Sequence, residues 1–337
     1  MTKIVIRLFF LLFMVHTSTL SQVGGGSVFQ FLSLNNSPRV SALGGYAHSI
    51  ITDDLNIGLY NPAVINSQMN KKVAFNYTNY YDGIYYGNTA YAFKLDDLDF
   101  ISAINFINYG DFVETNYLGE ELGYFSAGEY LFTIGTSYSI HSNISLGLNT
   151  KWAYSSFYDV SSFALLCDFA TTYIYPQKDI IISLLMKNLG YQLIPYYEGN
   201  RESLPFELLL GFSNKLEHMP LRWHLTFQHI EKKDLTFPNS NVLLSSQDIG
   251  VGEKILRHVV LGAEFLISEN INILLGYNNR IRSEMILQDR RGMVGFSFGF
   301  MIKVKRFQLT YSRSSNYYLN PTSTFGIVTN LSKLNTF

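Results

Sequence analysis

The feature that most limits this chain is an alternation of apolar and small polar residues that returns along most of its length. From Ile144 to Ser155 the even positions are Ile144, Leu146, Leu148, Thr150, Trp152 and Tyr154. The odd positions are Ser145, Gly147, Asn149, Lys151, Ala153 and Ser155. Val294, Phe296, Phe298, Phe300 and Ile302 alternate in the same way with Met293, Gly295, Ser297, Gly299 and Met301. Phe307, Leu309 and Tyr311 repeat it against Gln308, Thr310 and Ser312, as do Ile271, Ile273, Leu275 and Tyr277, with Leu274 as an apolar exception. Successive side chains of a strand point to opposite faces, so the pattern describes a sheet with one apolar face. A soluble sandwich would put Lys and Glu on its watery face. Here the polar face carries small and amide side chains, which suits the crowded lumen of a barrel whose outside meets lipid.

Fourteen strands are expected, near 71–80, 84–95, 98–109, 128–139, 144–156, 161–174, 179–189, 205–213, 221–230, 257–267, 271–280, 293–302, 305–313 and 322–331. After even-numbered strands the turns read as short: Asp96-Asp97, His141–Asn143, Tyr175–Lys178, Ser268–Asn270 and Lys303-Val304. After several odd-numbered strands they read as long: Gly110–Ala127, Gly190–Leu204, Glu231–Arg257 and Ile281–Gly292. A sandwich has no reason to sort its loops by strand parity, whereas an outer-membrane barrel has short periplasmic turns and long outer loops. The expected fold is all-β, a 14-stranded antiparallel transmembrane β-barrel.

Composition agrees with that reading. Among 337 residues, 25 basic and 26 acidic side chains leave a net charge of −1, which excludes a basic nucleic-acid binder. Charged residues are 15%, against roughly 25% in ordinary soluble domains. The single cysteine excludes a disulfide framework and a four-thiolate metal site.

The first residues read as an export signal: Lys3 and Arg7, an apolar core from Leu8 to Val15, then Thr19 and Ser21 before cleavage at Gln22. The core is too short to span a bilayer. The expected organisation is therefore a signal peptide at 1–21, a segment at 22–70 that fills the lumen as a plug, and the barrel at 71–337. Within the plug, Phe29, Phe31, Leu32, Leu34 and Leu43 offer apolar anchors. Asp54 to Leu59 is expected to be helical with Thr52 or Asp53 as its cap.

No catalytic constellation is present: there is no G-x-S-x-G elbow, no P-loop and no H-E-x-x-H. No enzyme activity, cofactor or resident metal is expected. His224 and His229 differ by five and fall on opposite faces of one expected strand, while His218 falls in a turn. Asp96, Asp97 and Asp99 read as a solvated turn, and Cys167 shares the lipid-facing phase of Phe163, Leu165 and Phe169. Gly24-Gly25-Gly26 has no preceding strand, so it does not read as a phosphate cradle.

The outer loops are the better candidates for binding. Tyr191, Tyr196, Tyr197 and Arg201 in one loop, with Tyr117 and Tyr124 in another, are side chains of the type that anchor protein interfaces. An interfacial aromatic girdle explains loop tyrosines equally well. The loop holding Tyr117 is also acidic, through Asp111, Glu114, Glu120 and Glu121.

The stretch QVGGGSVFQFLSLNNSPRVSALGG and the later DDLNIGLYNPAVIN resemble the opening of the PorQ/PorV group of outer-membrane proteins. INYGDFVETNYLGEELGYFSAGEY and KNLGYQLIPYYEGNRESLPFELLLGFSNKL resemble its PorQ-type members, barrel components of the type IX secretion system of Bacteroidota. The resemblance implies a barrel of the fatty-acid-transporter type with an amino-terminal hatch. It further implies an anchor for a PorZ-like surface protein beside PorV-like and PorU-like components, in a complex that processes secreted cargo and joins it to anionic lipopolysaccharide. The implied partners are that surface protein, the attachment complex, and outer-membrane lipids and lipopolysaccharide. A barrel of the same type that passes hydrophobic molecules is the alternative; it would need an apolar lumenal pocket and a lateral opening, for instance at a strand kink, and a lumen packed solid by residues 22–70 would count against it. Phe337 fits the terminal aromatic by which insertion machinery recognises such barrels.

Overall fold

A computed structural model of the chain describes residues 27–236, 250–285, 292–316 and 321–331. The expected signal peptide, the Gly24–Gly26 run and Phe337 lie outside the described residues. Fourteen strands form one closed antiparallel barrel. They are β1 Lys72–Asn79, β2 Tyr85–Leu95, β3 Leu98–Thr115, β4 Glu121–His141, β5 Ile144–Phe157, β6 Val160–Tyr175, β7 Ile180–Ile194, β8 Glu207–Lys215, β9 Leu221–Phe227, β10 Val259–Leu266, β11 Ile271–Asn278, β12 Phe296–Val304, β13 Phe307–Ser314 and β14 Thr322–Asn330. Each pairs with its sequence neighbours, and β1 closes on β14 from Lys72↔Asn330 to Asn79↔Ser323. Closure leaves no free sheet edge, which is what a membrane-spanning sheet requires. Among the described residues no helix is long and apolar enough to cross a membrane, so strands are the only elements suited to that task here.

The alternation read from the sequence is the barrel's inside–outside pattern. On β5, Leu146, Leu148 and Tyr154 are exposed on the outer wall, while Gly147, Asn149, Lys151, Ala153 and Ser155 are buried inside. Cys167 shares the outward phase of Leu165 and Phe169. Connections after even-numbered strands are short, as expected, but the turn after β12 is Lys305-Arg306 rather than Lys303-Val304. Lys305 takes a left-handed backbone (φ 53°) and reverses the chain there. Val294 is also out of place: it precedes β12 and is buried, because Gly295 (φ 84°) turns the chain before the strand begins.

The largest departure concerns the expected loop Gly110–Ala127. It is a continuation of β3 to Thr115 and of β4 from Glu121, so the connection itself is five residues. Phe112 and Phe125 face each other across the ladder with ring centroids 5.3 Å apart, and Phe125 meets the Tyr158 ring at 4.9 Å. Cross-strand aromatic pairs of this kind hold a hairpin together beyond the rest of the wall. β7 likewise continues through Ile194, into the expected loop Gly190–Leu204.

The interior is occupied by residues 28–70, which the barrel wall contacts from all sides. Helix α1 (Pro38–Ala42) starts at Ser37, whose hydroxyl accepts from the Val40 N–H at 3.3 Å. Helix α2 (Leu55–Tyr60) is capped by Asp54, which accepts from the Asn56 N–H at 3.0 Å, so the cap is neither Thr52 nor Asp53. Caps matter in helices this short, since propagation contributes little. Asn76 of β1 donates to Asn56, Ser137 of β4 to the Ile65 carbonyl, and Ser145 of β5 to the Ala63 carbonyl. On the far side, Thr226 of β9 donates to the Tyr46 carbonyl and Ser297 of β12 to the Ala42 carbonyl. Small lumenal residues make this fit possible: a methyl at Gly147 would overlap the Ala63 backbone, and one at Gly276 the backbone at Gly44. Leu274, the apolar exception on β11, packs with Val40, Leu43 and Ile57 of the segment.

Candidate functional site

The lumen is divided by chemistry. One part is a chain of buried charges. Arg39 of α1 is 3% exposed and makes a bidentate pair with Glu264 of β10, Nε to Oε1 at 2.7 Å and Nη2 to Oε2 at 3.0 Å. Arg222 of β9 donates to the same carboxylate at 2.6 Å, and Arg39 reaches Asp54 at 3.5 Å. Buried charges persist where they are paired and hydrogen-bonded in this way, and removing one partner is costly. Lower down, the Asp53 carboxylate bridges Lys72 of β1 at 2.7 Å and Lys303 of β12 at 3.3 Å. Partial burial opposes its ionisation, but the two ammonium groups hold its pKa down at about 2.

The other part is apolar and lies toward the outer ends of β2–β6. Phe29, Phe31 and Leu32 insert there against Tyr86, Ile107, Leu131, Ala153, Ala164 and Leu166, with Tyr109 and Leu204 at the margin. The wall residues come together through register: Tyr86 pairs with Ile107, Leu131 with Ala153, and Ala153 with Ala164. Beneath them Lys151 donates to Asp168 at 2.8 Å and to Asn188 at 2.9 Å, and Asn149 donates to Asp168 at 3.0 Å. This polar layer borders the apolar cluster, a chamber filled by the chain's own side chains.

The wall is irregular beside this chamber. Asn188 of β7 adopts a left-handed backbone (φ 58°), and its N–H donates to the Asp168 carboxylate at 2.8 Å instead of continuing the ladder. The β6–β7 register shifts at Cys167/Phe169, and the β7–β8 ladder ends at Lys187↔Glu207. Beyond that point the side chains of Asn188 and Gln192 bond the Pro205 carbonyl and the Glu202 N–H, so contact there runs through side chains. A seam of this kind opens at lower cost than a continuous backbone ladder.

The six residues expected to bind a partner are dispersed. Tyr196 turns inward: its hydroxyl donates to Ser155 at 2.6 Å, and its ring lies 6.5 Å from Phe29 and 6.0 Å from Phe157. Burial pushes that hydroxyl up to about 12, so it stays a donor at neutral pH. Tyr191 and Arg201 meet each other, with the guanidinium 4.9 Å from the ring centroid, and Tyr197 is exposed beside them. Tyr117 (96% exposed) and Tyr124 (72%) belong to the β3–β4 hairpin instead. Among the histidines, His224 is buried against Gly262, where a Cβ would collide with the imidazole. His229 is not on the strand with it, because β9 ends at Phe227, and its ring meets Glu207 and Glu231 at 3.4 and 3.0 Å. Asp96 and Asp97 sit in the β2–β3 turn. Among the described residues no group of three or more His, Cys, Asp and Glu side chains is placed to hold a metal.

The apolar wall residues Tyr86, Ile107, Leu131 and Leu166 were not singled out from the sequence. The available signal is that they are large and apolar in the phase that elsewhere carries Ser, Asn, Thr and Gly. On β6, Leu166 stands between Ala164 and Asp168 in that phase.

No protein-family model matches the chain, and no curated protein matches it either. Solved structures do. The toluene transporter TodX of Pseudomonas putida is 12% identical, covers 91% of this chain and 98% of its own length, and superposes with a TM-score of 0.52. A FadL homologue of Pseudomonas aeruginosa is 11% identical over 91% of this chain and 99% of its own, at 0.48. The monoaromatic hydrocarbon channel CymD is 10% identical over 88% and 96%, at 0.46. At these identities the likeness concerns fold alone: the chain shares the closed-barrel fold of TodX.

Proposed function

We propose that this chain is an outer-membrane channel for hydrophobic molecules. The apolar chamber between β2–β6 and residues 28–34 is its binding station, and the seam above Lys187 and Glu207 is the route out through the wall. The observation that carries this reading is that the chamber is filled by the chain's own Phe29, Phe31 and Leu32. Apolar side chains seated in an apolar chamber can be exchanged for an apolar ligand of similar volume with little net cost. The hydrocarbon channels that share the fold support the substrate class. The packed interior means that passage requires the amino-terminal segment to shift.

Uptake of a fluorescent long-chain fatty acid into vesicles carrying the purified barrel tests this. Leu166→Lys places a charge in the chamber and is expected to slow uptake about tenfold or more, since an unpaired charge there opposes an apolar ligand. Uptake no faster than through empty vesicles, or unchanged by the substitution in a barrel that still folds, would sink the proposal.

A second reading is favoured by the β3–β4 hairpin, which carries Tyr117, Leu118, Leu122 and Tyr124 exposed. In that reading the barrel anchors a surface protein of the PorZ kind within a type IX secretion attachment complex, with export by a cleaved signal and contact with lipopolysaccharide. A mild-detergent pull-down from the outer membrane tests it. A stoichiometric surface protein supports anchoring, and a barrel recovered alone removes it.

A further inference from the structure

A groove of about 950 Å³ lies at the short-turn end of the β7–β9 wall, away from the lumenal chamber. Its apolar side is made by outward-facing residues of three strands, Ile180, Phe212, Trp223 and Leu225, with Met219 of the β8–β9 turn beside them. Its polar end carries Lys178, Lys215 and His218, with Glu217 as the acidic side chain in the lining. The main chain at Lys178 is fixed by the side-chain amide of Asn214, which donates to the Lys178 carbonyl at 2.5 Å. The turns on this side differ in charge: Asp96 and Asp97 form the β2–β3 connection, while Lys305 and Arg306 form the β12–β13 one.

An apolar slot ending in two lysines at the depth of an interfacial tryptophan matches one kind of molecule. The short turns of such barrels face the periplasm, so the slot meets the periplasm-facing leaflet, where the lipids are glycerophospholipids. Acyl chains lie against apolar wall, and lysines near the surface attract anionic headgroups. We propose that this groove binds one anionic glycerophospholipid, its phosphate held by Lys178 and Lys215 and an acyl chain lying between Phe212, Leu225 and Trp223. The site goes beyond the transport reading and is independent of it, requiring only that the barrel be embedded in a bilayer.

The chain has two tryptophans, Trp152 and Trp223, so Trp152→Phe leaves Trp223 as a single reporter in the groove. The folded variant is placed in phosphatidylcholine vesicles containing small amounts of brominated phosphatidylglycerol or brominated phosphatidylcholine. Half-quenching of Trp223 is expected at about a tenfold lower mole fraction of the anionic lipid. The preference should vanish in Lys178→Ala/Lys215→Ala and persist in Lys178→Arg/Lys215→Arg, which retains the charge. The converse reporter, Trp223→Phe with Trp152 retained, should show no preference. Equal quenching by both lipids, or a preference that survives the alanine pair, overturns the proposal. Failure of both lipids to quench Trp223 would mean that a second copy or another protein covers the groove, and overturns it equally.

Discussion

Gly147 shows how much of this interior rests on single side chains. It lies on the lumenal face of β5, where any Cβ would overlap the backbone of Pro62 and Ala63. In an exposed strand an added methyl would be mildly favourable, because glycine loses the most freedom on folding. Here Gly147→Ala is expected to lower stability by about 1–3 kcal/mol, the usual cost of overpacking. Gly123→Ala, on the β3–β4 hairpin with no atom closer than 3.9 Å to the added methyl, should fall within about 0.5 kcal/mol of the parent. Chemical-denaturation midpoints of the folded barrels check both, and equal midpoints would refute the tight fit. Asp53 makes a pH-dependent counterpart. Its pKa of about 2 is depressed from an ordinary value of about 4, so the clamp to Lys72 and Lys303 is fully present above the ordinary value. It is lost as pH falls through about 2. The stability gap between the parent and Asp53→Asn should therefore be open at pH 6 and close on acidification to that value. A gap that is the same at both pH values would remove the clamp from the account.

At the scale of elements, the β3–β4 hairpin and the inner segment behave oppositely. The hairpin continues past the rest of the wall, is braced by Phe112, Phe125 and Tyr158, and closes no part of the barrel ring. Shortening it by removing residues 112–125 and joining the strands with a tight turn is expected to leave a barrel that still inserts. If the anchoring reading holds, the surface partner is lost from the pull-down at the same time. A partner retained by the shortened barrel would place that interface elsewhere. The inner segment is integral, with α1 tied through Arg39 to both β9 and β10 by way of Glu264. A stopper held by buried ion pairs at one end and by apolar packing at the other can release its apolar end first. Packed side chains at Phe29 and Phe31 come away without breaking a salt bridge.

The whole molecule inverts the usual distribution of polarity. Its outer wall is largely apolar, while charged networks such as Lys151–Asp168 and Arg39–Glu264 lie inside. The inversion follows from placing a closed sheet in lipid, where backbone groups are satisfied between strands and outward side chains meet acyl chains. It also explains the division of roles proposed here. An apolar chamber inside and an apolar groove outside are separated by one sheet, and the wall is least regular where β7 passes the chamber.

Strand number and facing were legible in the sequence because a period of two is a property of the backbone itself. Each strand displays it without reference to any other. Even the exception at Leu274 was visible, although its partners Val40, Leu43 and Ile57 were not. Loop parity was legible only in part, since the connection after β3 is five residues and that after β5 is two. The chamber was not legible, because it depends on register. Leu131, Ala153 and Ala164 become neighbours only when three strands align, and a shift of one residue would turn each to lipid. The Arg39–Glu264 pair joins residues 225 apart, and no local pattern marks either as the other's partner. The projecting hairpin was not legible, because the aromatic pairs that continue the ladder, Phe112 with Phe125, become neighbours only when β3 and β4 align. Local chemistry thus determined which way each side chain faces, and the closing of the sheet decided what each one meets.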